Sequence, residues 1–556
     1  MLFGFSTAHA QYAMPTIDAK FAKEAATLIV QDASGRMKPF DTLSHEILNK
    51  LYRSDNYNGM DANSVFLSMM VNADYWRNAG IIRIKDKEVR KILGLNDSQK
   101  YASFSDFFDS SGMVVEYKLL KQSELANRKS PASRSTFDKE VIKADEKLNI
   151  LYMVFMGEFF KVLPKQMDEN NAWYSPAAAI TKFSGDELKK AEDMFQDFFN
   201  GILTSQKSGN WAIANSALKN LKQYQSEIGS EIIPSDRHIK FELLFNKLQI
   251  FKNLTSVYLL AGLVLLVAVF ARIAYSKFRL NLVFKIVYGI NILAFIAHTI
   301  GLGIRWYISG HAPWSDSYES MVYIAWALAL SGIVFSKKSD IALALTAILA
   351  GVTLFVAHLS WIDPQITTLV PVLKSYWLTI HVSVITASYG FLGLCSLLGL
   401  FVLVLFALQG KNENKEFSKN ILEAVRINEM AMILGLSLLI VGNFLGGIWA
   451  NESWGRYWGW DSKETWSLIS ILVYTMVLHM RFVPKLNSQI YFCIASAFAY
   501  WAIIMTYFGV NFYLTGMHSY AAGDPAKVPN FVIVICVVMI LISILALRNK
   551  KYSKGL

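Results

Sequence analysis

The sequence predicts a mainly α-helical fold: a polytopic transmembrane helical bundle of about nine spans with a large extracytoplasmic, mostly helical N-terminal domain. Of the 556 residues, 53% are hydrophobic and only 17% are charged, which is too apolar for a soluble protein of this size. The chain is charged and mixed up to about residue 250 and then becomes a succession of apolar runs. We therefore predict a domain at 1–253, a membrane domain at 254–547 and a basic cytoplasmic tail at 548–556.

Nine apolar runs are each long enough to cross a hydrocarbon core of about 30 Å. The third is short and the fifth is long. The predicted spans are 254–274, 282–306, 320–336, 341–362, 376–408, 429–450, 465–482, 489–513 and 529–547.

The orientation follows from the basic residues of the short connections. Alternate connections and the tail hold most of them, whereas the intervening connections hold few, so the positive-inside rule predicts that the basic set is cytoplasmic. The first 250 residues and the tryptophan-rich connection before the seventh span then face the outside. The basic set is Arg272, Lys277, Arg279, Lys337, Lys338, Lys411, Lys415, Lys419, Arg426, Arg481, Lys485, Arg548, Lys550, Lys551 and Lys554.

The N-terminal region indicates a docking or scaffolding domain, because nothing in it resembles a catalytic cluster. Its segment 34–42 predicts a turn that leads into a helix capped by Asp41 or Thr42 and running through Leu48 and Leu51. The first residues end in an A-x-A pattern typical of a signal-cleavage site but lack a basic start and an apolar core. Since an outer domain needs a translocation signal, we expect the chain to be the C-terminal part of a longer polypeptide.

The cysteines argue against thiol chemistry in this chain. Cys395, Cys493 and Cys536 lie within apolar spans, without a C-x-x-C pair or metal-site spacing. We interpret them as small buried residues. Any reactive thiols must come from another protein.

The tryptophan loop, residues 451–466, is the most informative segment. The run from Trp454 to Trp466 holds four tryptophans in thirteen residues, including Trp458 and Trp460. Such rings can hold a planar apolar ligand such as a porphyrin at the membrane surface, or they can form an ordinary aromatic belt. Asp461 precedes Glu464 by three residues, which is the spacing of a helix capping box.

Two histidines are predicted at the depth of the tryptophan loop. His381 lies about five residues into the fifth span, under about 10 Å deep. His518 lies in the last outer connection. Two imidazoles can supply both axial ligands of a haem iron, and the alternative for each is an interface residue bonded to a backbone carbonyl.

His479 differs in depth, because it lies at the cytoplasmic end of the seventh span, thirteen residues after Trp466. That separation is roughly 20 Å of helix. It suggests a second, inner haem position that needs another ligand. His298 is a possible partner, although a hydrogen-bonded core role suits it better, and the alternative is a ligand outside this chain.

Four segments together resemble a known family. The run from Trp454 to Trp466, the context of His381, the Gly-Met-His518-Ser-Tyr segment and the stretch from Arg305 to Glu319 are similar to the CcsA component of System II cytochrome c synthases. The resemblance covers about 254–547, and the long domain before it looks like the C-terminal portion of a fused CcsBA protein.

The resemblance implies a role for each matching residue. His381 and His518 would be the outer axial ligands of haem b, and His479 a ligand of the inner haem. Trp454, Trp458, Trp460 and Asp461 would form the WWD haem-handling motif and serve catalysis. The second inner ligand would come from a CcsB-like half or subunit, for which this chain shows no match.

The implied activity is that of a cytochrome c haem lyase in the bacterial inner membrane, with its N-terminal domain in the periplasm. Haem would enter near His479, reach the outer site, and be joined by thioether bonds to a C-x-x-C-H apocytochrome c whose thiols a thioredoxin-like partner keeps reduced. The partners would also include membrane lipid and exclude nucleic acid. In physical terms the protein supplies orientation and proximity.

Two alternatives stay open. One is a WWD-family haem transporter or chaperone that does not catalyse ligation. The other is a membrane protein of another class, such as an ion-coupled transporter with an aromatic belt. The spans are nearly free of Asp and Glu, which disfavours an ion pathway.

Overall fold

The structure is a computed structural model that describes residues 14–109, 116–130, 133–274, 280–359, 362–409, 415–514, 516–517, 528 and 530–556. The chain divides into two compact units, Met1–Lys247 and Leu248–Leu556. This division falls six residues before the boundary that we predicted from composition.

The first unit is mostly helical, with short antiparallel strand pairs between the helices. Its helices are α1 (Ala19–Ala25), α2 (Phe40–Tyr52), α3 (Ala62–Val71), α4 (Ala73–Asn78), α5 (Lys87–Leu93), α6 (Leu120–Arg128), α7 (Thr136–Phe155), α8 (Pro176–Lys182), α9 (Gly185–Ser208), α10 (Ala212–Ile228) and α11 (Asp236–Leu248). The strands pair consecutively and are β1 (Ile29–Gln31), β2 (Met37–Pro39), β3 (Asn56–Tyr57), β4 (Met60–Asp61), β5 (Ile82–Arg83), β6 (Tyr101–Ala102), β7 (Phe108–Asp109), β8 (Glu116–Tyr117), β9 (Leu163–Pro164) and β10 (Trp173–Tyr174).

The first unit has its own aromatic core. Phe40 contacts Phe66 and Phe160 edge to face, and Phe160 stacks on Phe198 at 5.3 Å between ring centroids. All four side chains are fully buried. Burying a phenylalanine stabilises the folded state by about 1.5–3 kcal/mol, so these rings hold the helices together.

The predicted helix start in this unit is wrong by two or three residues, because the cap is Pro39 rather than Asp41 or Thr42. The segment that we interpreted as a simple turn is the β1–β2 hairpin, and α2 begins at Phe40 directly after it. Pro39 occupies the cap position without a side-chain bond. Asp41 accepts a hydrogen bond from Asn63 and Thr42 donates one to Glu242, so both side chains serve tertiary contacts.

The second unit confirms the helical membrane fold, and the chain is a multi-pass membrane protein. Among the described residues, nine helical segments are long and apolar enough to cross a membrane. The helices are α12 (Ile250–Ala274), α13 (Asn281–Ser309), α14 (Ser317–Ser336), α15 (Asp340–Ala357), α16 (Tyr376–Leu408), α17 (Lys415–Trp454), α18 (Ser462–His479), α19 (Gln489–Ile504), α20 (Val510–Tyr513) and α21 (Asn530–Leu547).

Two span boundaries differ from the prediction by five residues or more. Residues 415–428, which we expected in a cytoplasmic connection, form the start of α17, because Ile421 and Val425 bury one face of the helix. In contrast, α15 ends at Ala357 rather than at residue 362. Its cap residue, His358, has left the helical conformation, and the His358 Nδ1 lies 2.7 Å from the Leu354 carbonyl oxygen in the last turn.

Helix α16 is the centre of this unit and packs against α14, α17, α19 and α21. Small residues permit the close approach: a Cβ at Gly442 of α17 would lie 2.5 Å from Ile385 Cγ1 of α16. A buried polar network also joins the helices, since Asn428 donates to the Cys395 carbonyl and Ser496 donates to Asn428 Oδ1. Residues near the start of α16 are therefore held on a rigid element.

Candidate functional site

A cavity of about 580 Å³ lies at the end of the second unit where α14, α16 and α18 begin. Its volume is within the range of small-molecule sites. Residues from segments 314–320, 362–389, 443–467 and 506–512 line it. Because successive spans alternate in direction, these segments share one end of the bundle.

His381 lies in the cavity lining, one turn and a half into α16, and is buried. Its Nδ1 is 2.8 Å from the Trp377 carbonyl oxygen. A carbonyl oxygen only accepts, so Nδ1 carries the proton and Nε2 is the basic nitrogen. This is the tautomer that ligates a metal, with the other ring nitrogen held by a carbonyl.

Aromatic side chains hold the start of α16 around the His381 imidazole. The Trp449 ring of α17 lies 5.3 Å from the imidazole, tilted by 31°. The Trp314 indole Nε1–H donates to the Thr379 carbonyl at 2.9 Å. Trp314 and Trp449 both line the cavity, so the first turns of α16 are fixed by tryptophans from two neighbouring segments.

A buried ion pair holds the loops beside the cavity. Arg305 Nε lies 2.8 Å from Glu319 Oε1, and Arg305 Nη1 donates to the Pro364 carbonyl at 3.0 Å. Asp316 caps α14 by accepting from the Glu319 backbone N–H at 2.7 Å, and it lines the cavity. Desolvation and the neighbouring Glu319 carboxylate raise the pKa of Asp316 above its ordinary value. The sequence alone did not indicate a separate role for Arg305 or Asp316. A charged residue at the end of an apolar span is nevertheless a feature by which such a role could have been predicted.

The three tryptophans predicted as a porphyrin surface occupy different places. Trp458 lines the cavity and meets Trp460 edge to face at 5.8 Å. Trp460 is 71% exposed and lies outside the cavity lining. Trp454 packs edge to face on Trp449 at 4.8 Å, behind the lining. Trp449 was missed because it lies in the apolar span before the loop, where a buried tryptophan gives no separate signal.

Asp461 caps α18 as its spacing predicted. Its Oδ1 accepts from the Lys463 N–H at 3.0 Å, and Glu464 Oε2 accepts from the Asp461 N–H at 3.2 Å, which completes a capping box. The remaining oxygen, Oδ2, accepts from the Met517 N–H at 2.5 Å. A Cβ at Gly516 would clash with that oxygen, so glycine permits this approach without a shift of the carboxylate or the segment.

The second predicted outer ligand, His518, lies outside the described residues. Its chain neighbour Met517 is the residue bonded to Asp461. The structure therefore brings the residue before His518 to the tryptophan loop.

A π-helical stretch, Met505–Gly509, separates α19 from α20. Tyr507 in this stretch donates to the Ser317 carbonyl at 3.0 Å, and Asn511 and Phe512 after it line the cavity. Such bulges often occur at functional sites. The π-helical stretch sets which residues of the following short helix, α20, face the cavity.

His479 lies at the opposite end of α18 and is exposed. Its Nδ1 lies 2.7 Å from the Thr475 carbonyl, which again leaves Nε2 as the basic nitrogen. His298, the possible partner, is fully buried, with its ring nitrogens 3.4 Å from the Tyr258 hydroxyl and 3.1 Å from the Val322 carbonyl. Both of its nitrogens are thus engaged in the core.

Fold and site together define a multi-pass membrane protein with a tryptophan-lined, histidine-bearing cavity at one end of its helices. Residues 314–518, which include every segment of the cavity, match the sequence profile of the Cytochrome C assembly protein family. The chain is 36% identical over 301 residues to the cytochrome c biogenesis protein CcsA of Guillardia theta, covering 50% of this chain and 99% of that protein. It is 32% identical over 258 residues to CcsA of Prochlorococcus marinus strain MIT 9301, covering 42% of this chain and 83% of that protein.

The chain belongs to the CcsA family of cytochrome c biogenesis proteins. It is also 44% identical over 515 residues to the protein NrfI of Wolinella succinogenes, which covers 91% of this chain. The matched region spans 55% of NrfI, so the chain corresponds to about half the length of that relative.

Proposed function

We propose that this protein is a cytochrome c synthase that exports haem and attaches it by thioether bonds to the C-x-x-C-H motif of apocytochrome c. The observation that carries the proposal is His381, buried in the lining of the cavity with its proton on Nδ1. Membership of the CcsA family supports the same assignment. Haem b is the substrate of this reaction, together with the apocytochrome.

The cavity fits an iron porphyrin in size and chemistry. Its volume of about 580 Å³ suits a ligand of that class, and Trp314, Trp449 and Trp458 are among its lining residues. Tryptophan and tyrosine rings supply flat apolar contacts. His381 Nε2 would be one axial ligand of the iron.

His518 would be the second axial ligand. The support is the hydrogen bond of the Met517 N–H to Asp461, because His518 follows Met517 in the chain. Asp461 would then have two structural duties: it caps α18 and it positions the ligand-bearing segment. This interpretation assigns Asp461 a positioning role in the site.

Ligation adds each cysteine S–H across a haem vinyl group, so the reacting groups belong to the two substrates. The protein residues hold the porphyrin by its iron and its faces and admit the peptide, which raises the effective concentration of thiol and vinyl. In this scheme haem arrives from His479 on the cytoplasmic side of the bacterial inner membrane, with a CcsB-like half or subunit supplying the second inner ligand. The N-terminal domain faces the periplasm and docks partners, including a thioredoxin-like reductant.

The test is a ligation assay on the protein purified with haem, using a C-x-x-C-H peptide under reducing conditions. We expect the parent to form a covalent haem–peptide product. His381→Gly should form at least tenfold less of this product, and added imidazole should partly restore its formation. A product formed at the parent rate by His381→Gly would contradict the role of this cavity. Haem bound through His381 without any peptide product would instead establish the alternative, a haem transporter or chaperone.

A further inference from the structure

We propose that Lys463, which donates to Asn511, and Ser467 form a carboxylate-binding site that holds a propionate group of the porphyrin. The inference deepens the proposed function, since it rests on a porphyrin occupying the cavity. It places the propionate at the end of the cavity where α18 begins. All three residues line the cavity.

Lys463 carries an unusual charge for its place in the helix. It is the second residue of α18, where the positive end of the helix dipole disfavours a cation and favours acidic residues. Its side chain is only partly exposed. Within the part of the chain that the structure describes, Nζ has one hydrogen bond, to Asn511 Oδ1 at 3.3 Å, and no carboxylate at ion-pair distance.

The acidic residues of the cavity lining, Asp316, Asp363 and Glu464, have other partners, and Asp363 accepts from the Gln365 backbone N–H. Glu464 accepts from the backbone N–H groups of Gly459 and Asp461. Asp316 accepts from the Glu319 N–H and lies near Arg305, at 3.9 Å. The Asp461 carboxylate interacts electrostatically with the Lys463 ammonium but lies beyond ion-pair distance. The ammonium can therefore still bind an anionic group of a ligand in the cavity.

Ser467 supplies an independent observation. It lies one turn after Lys463 on the same face of α18, and it is 4% exposed. Its Oγ is buried without a hydrogen-bond partner among the described residues. A buried hydroxyl without a partner is costly, and a carboxylate oxygen would satisfy it.

The site has a consequence for orientation. Propionates and vinyl groups lie on different edges of protoporphyrin, so a propionate held at Lys463 directs the vinyl edge away from the start of α18. The lysine would thus be a positioning residue that selects one of the porphyrin orientations that His381 alone would permit.

The experiment compares metal-free protoporphyrin IX with its dimethyl ester, by fluorescence titration of the full chain purified in detergent. The ester lacks the negative charges but keeps the shape, and the missing iron removes any contribution from axial histidines. Partition of each porphyrin into detergent is the same for every variant and cancels when variants are compared. The variants are Lys463→Met, Lys463→Arg and Ser467→Ala, with Lys374→Met as the matched control, since Lys374 is exposed and outside the cavity lining.

We expect the parent to bind the diacid about tenfold more tightly than the ester, because a hydrogen bond to a charged group has that order of effect. Lys374→Met and Lys463→Arg should keep this preference. Lys463→Met should lose it while binding the ester as the parent does, which also shows that the variant is folded. Ser467→Ala should lose part of it.

An unchanged preference in Lys463→Met, or no preference in the parent, would overturn the proposal. If Lys463→Met binds neither porphyrin, Ser467→Ala decides: a reduced preference supports the proposal and an unchanged one overturns it. Failure of the proposed function can be distinguished from failure of this proposal. The proposed function is tested by the iron spectrum and the ligation assay, whereas titration with metal-free porphyrins tests only the carboxylate-binding site.

Discussion

At the scale of single residues, the site depends on where protons and rings are placed. The Trp377 carbonyl keeps the His381 proton on Nδ1, so the imidazole needs no tautomer change to ligate iron. Trp449, lying 5.3 Å from the same ring, limits its rotation. A histidine held in this way is preorganised for one coordination direction.

Trp458 and Trp460 offer a matched pair for testing the aromatic surface. Trp458 lines the cavity, whereas Trp460 is 71% exposed. We expect Trp458→Ala to weaken haem retention roughly threefold to tenfold, the worth of an aromatic contact, and Trp460→Ala to change it less than twofold. The haem retained by each purified variant is measured by absorbance. Equal retention in both variants would indicate that the tryptophans form an aromatic belt and do not bind the porphyrin.

The sequence predicted residues whose role depends on local spacing. The Asp461–Glu464 capping box and the position of His381 near the start of α16 follow from helix geometry alone. It could not distinguish Trp458 from Trp460, because both lie in one loop and their exposure depends on backbone turns such as the positive φ of Trp460. It also missed Trp449, whose contact with His381 arises from the packing of α17 on α16.

At the scale of elements, the site depends on joined ends of helices. Asp461 connects the start of α18 to the Gly516–Met517 segment, and Arg305 connects α13 to α14 and to the loop at Pro364. Most membrane helices could be predicted because their apolar runs are long, but the start of α17 could not, since its charged residues resembled a loop. Contacts between helix ends that are distant in the sequence leave no pattern in the local sequence from which they could be predicted.

Replacing Gly516 tests the connection made by Asp461. In Gly516→Ala the added Cβ would clash with Asp461 Oδ2, so either the carboxylate or the segment must shift. Either shift should weaken the Met517 hydrogen bond, which is worth about 1.5–3 kcal/mol for a charged acceptor. We expect at least tenfold lower haem occupancy at the outer site with unchanged thermal stability of the helices. Gly303→Ala is the control, since its Cβ would meet nothing within 4 Å; equal occupancy in both variants would show that the connection does not position a ligand.

At the scale of the whole molecule, the described cavity and His479 lie at opposite ends of the membrane unit. Helix α18 begins beside the cavity and ends at His479, so one helix extends between the two proposed haem positions. Thirteen residues from Trp466 to His479 correspond to roughly 20 Å. This separation is consistent with two haem positions near opposite membrane surfaces.

The direction of haem flow can be tested through this asymmetry. If the outer position is filled from the inner one, His479→Ala should deplete haem at both, whereas His518→Ala should deplete only the outer. Haem content and spectral type are measured after supply from the cytoplasm only, with Lys485→Ala as an exposed control near the same end. Normal loading of the outer position in His479→Ala would mean that haem does not enter there.

The most direct test of the central claim, that His381 ligates haem iron, is the absorption spectrum of the purified protein and of His381→Gly. We expect a low-spin, bis-histidine spectrum in the parent, a change to a species lacking one strong axial ligand in His381→Gly, and return of the low-spin spectrum on addition of imidazole. The added imidazole would fill the space left by the side chain. A His381→Gly variant with the same haem content and an unchanged spectrum would contradict the assignment of His381 as an iron ligand.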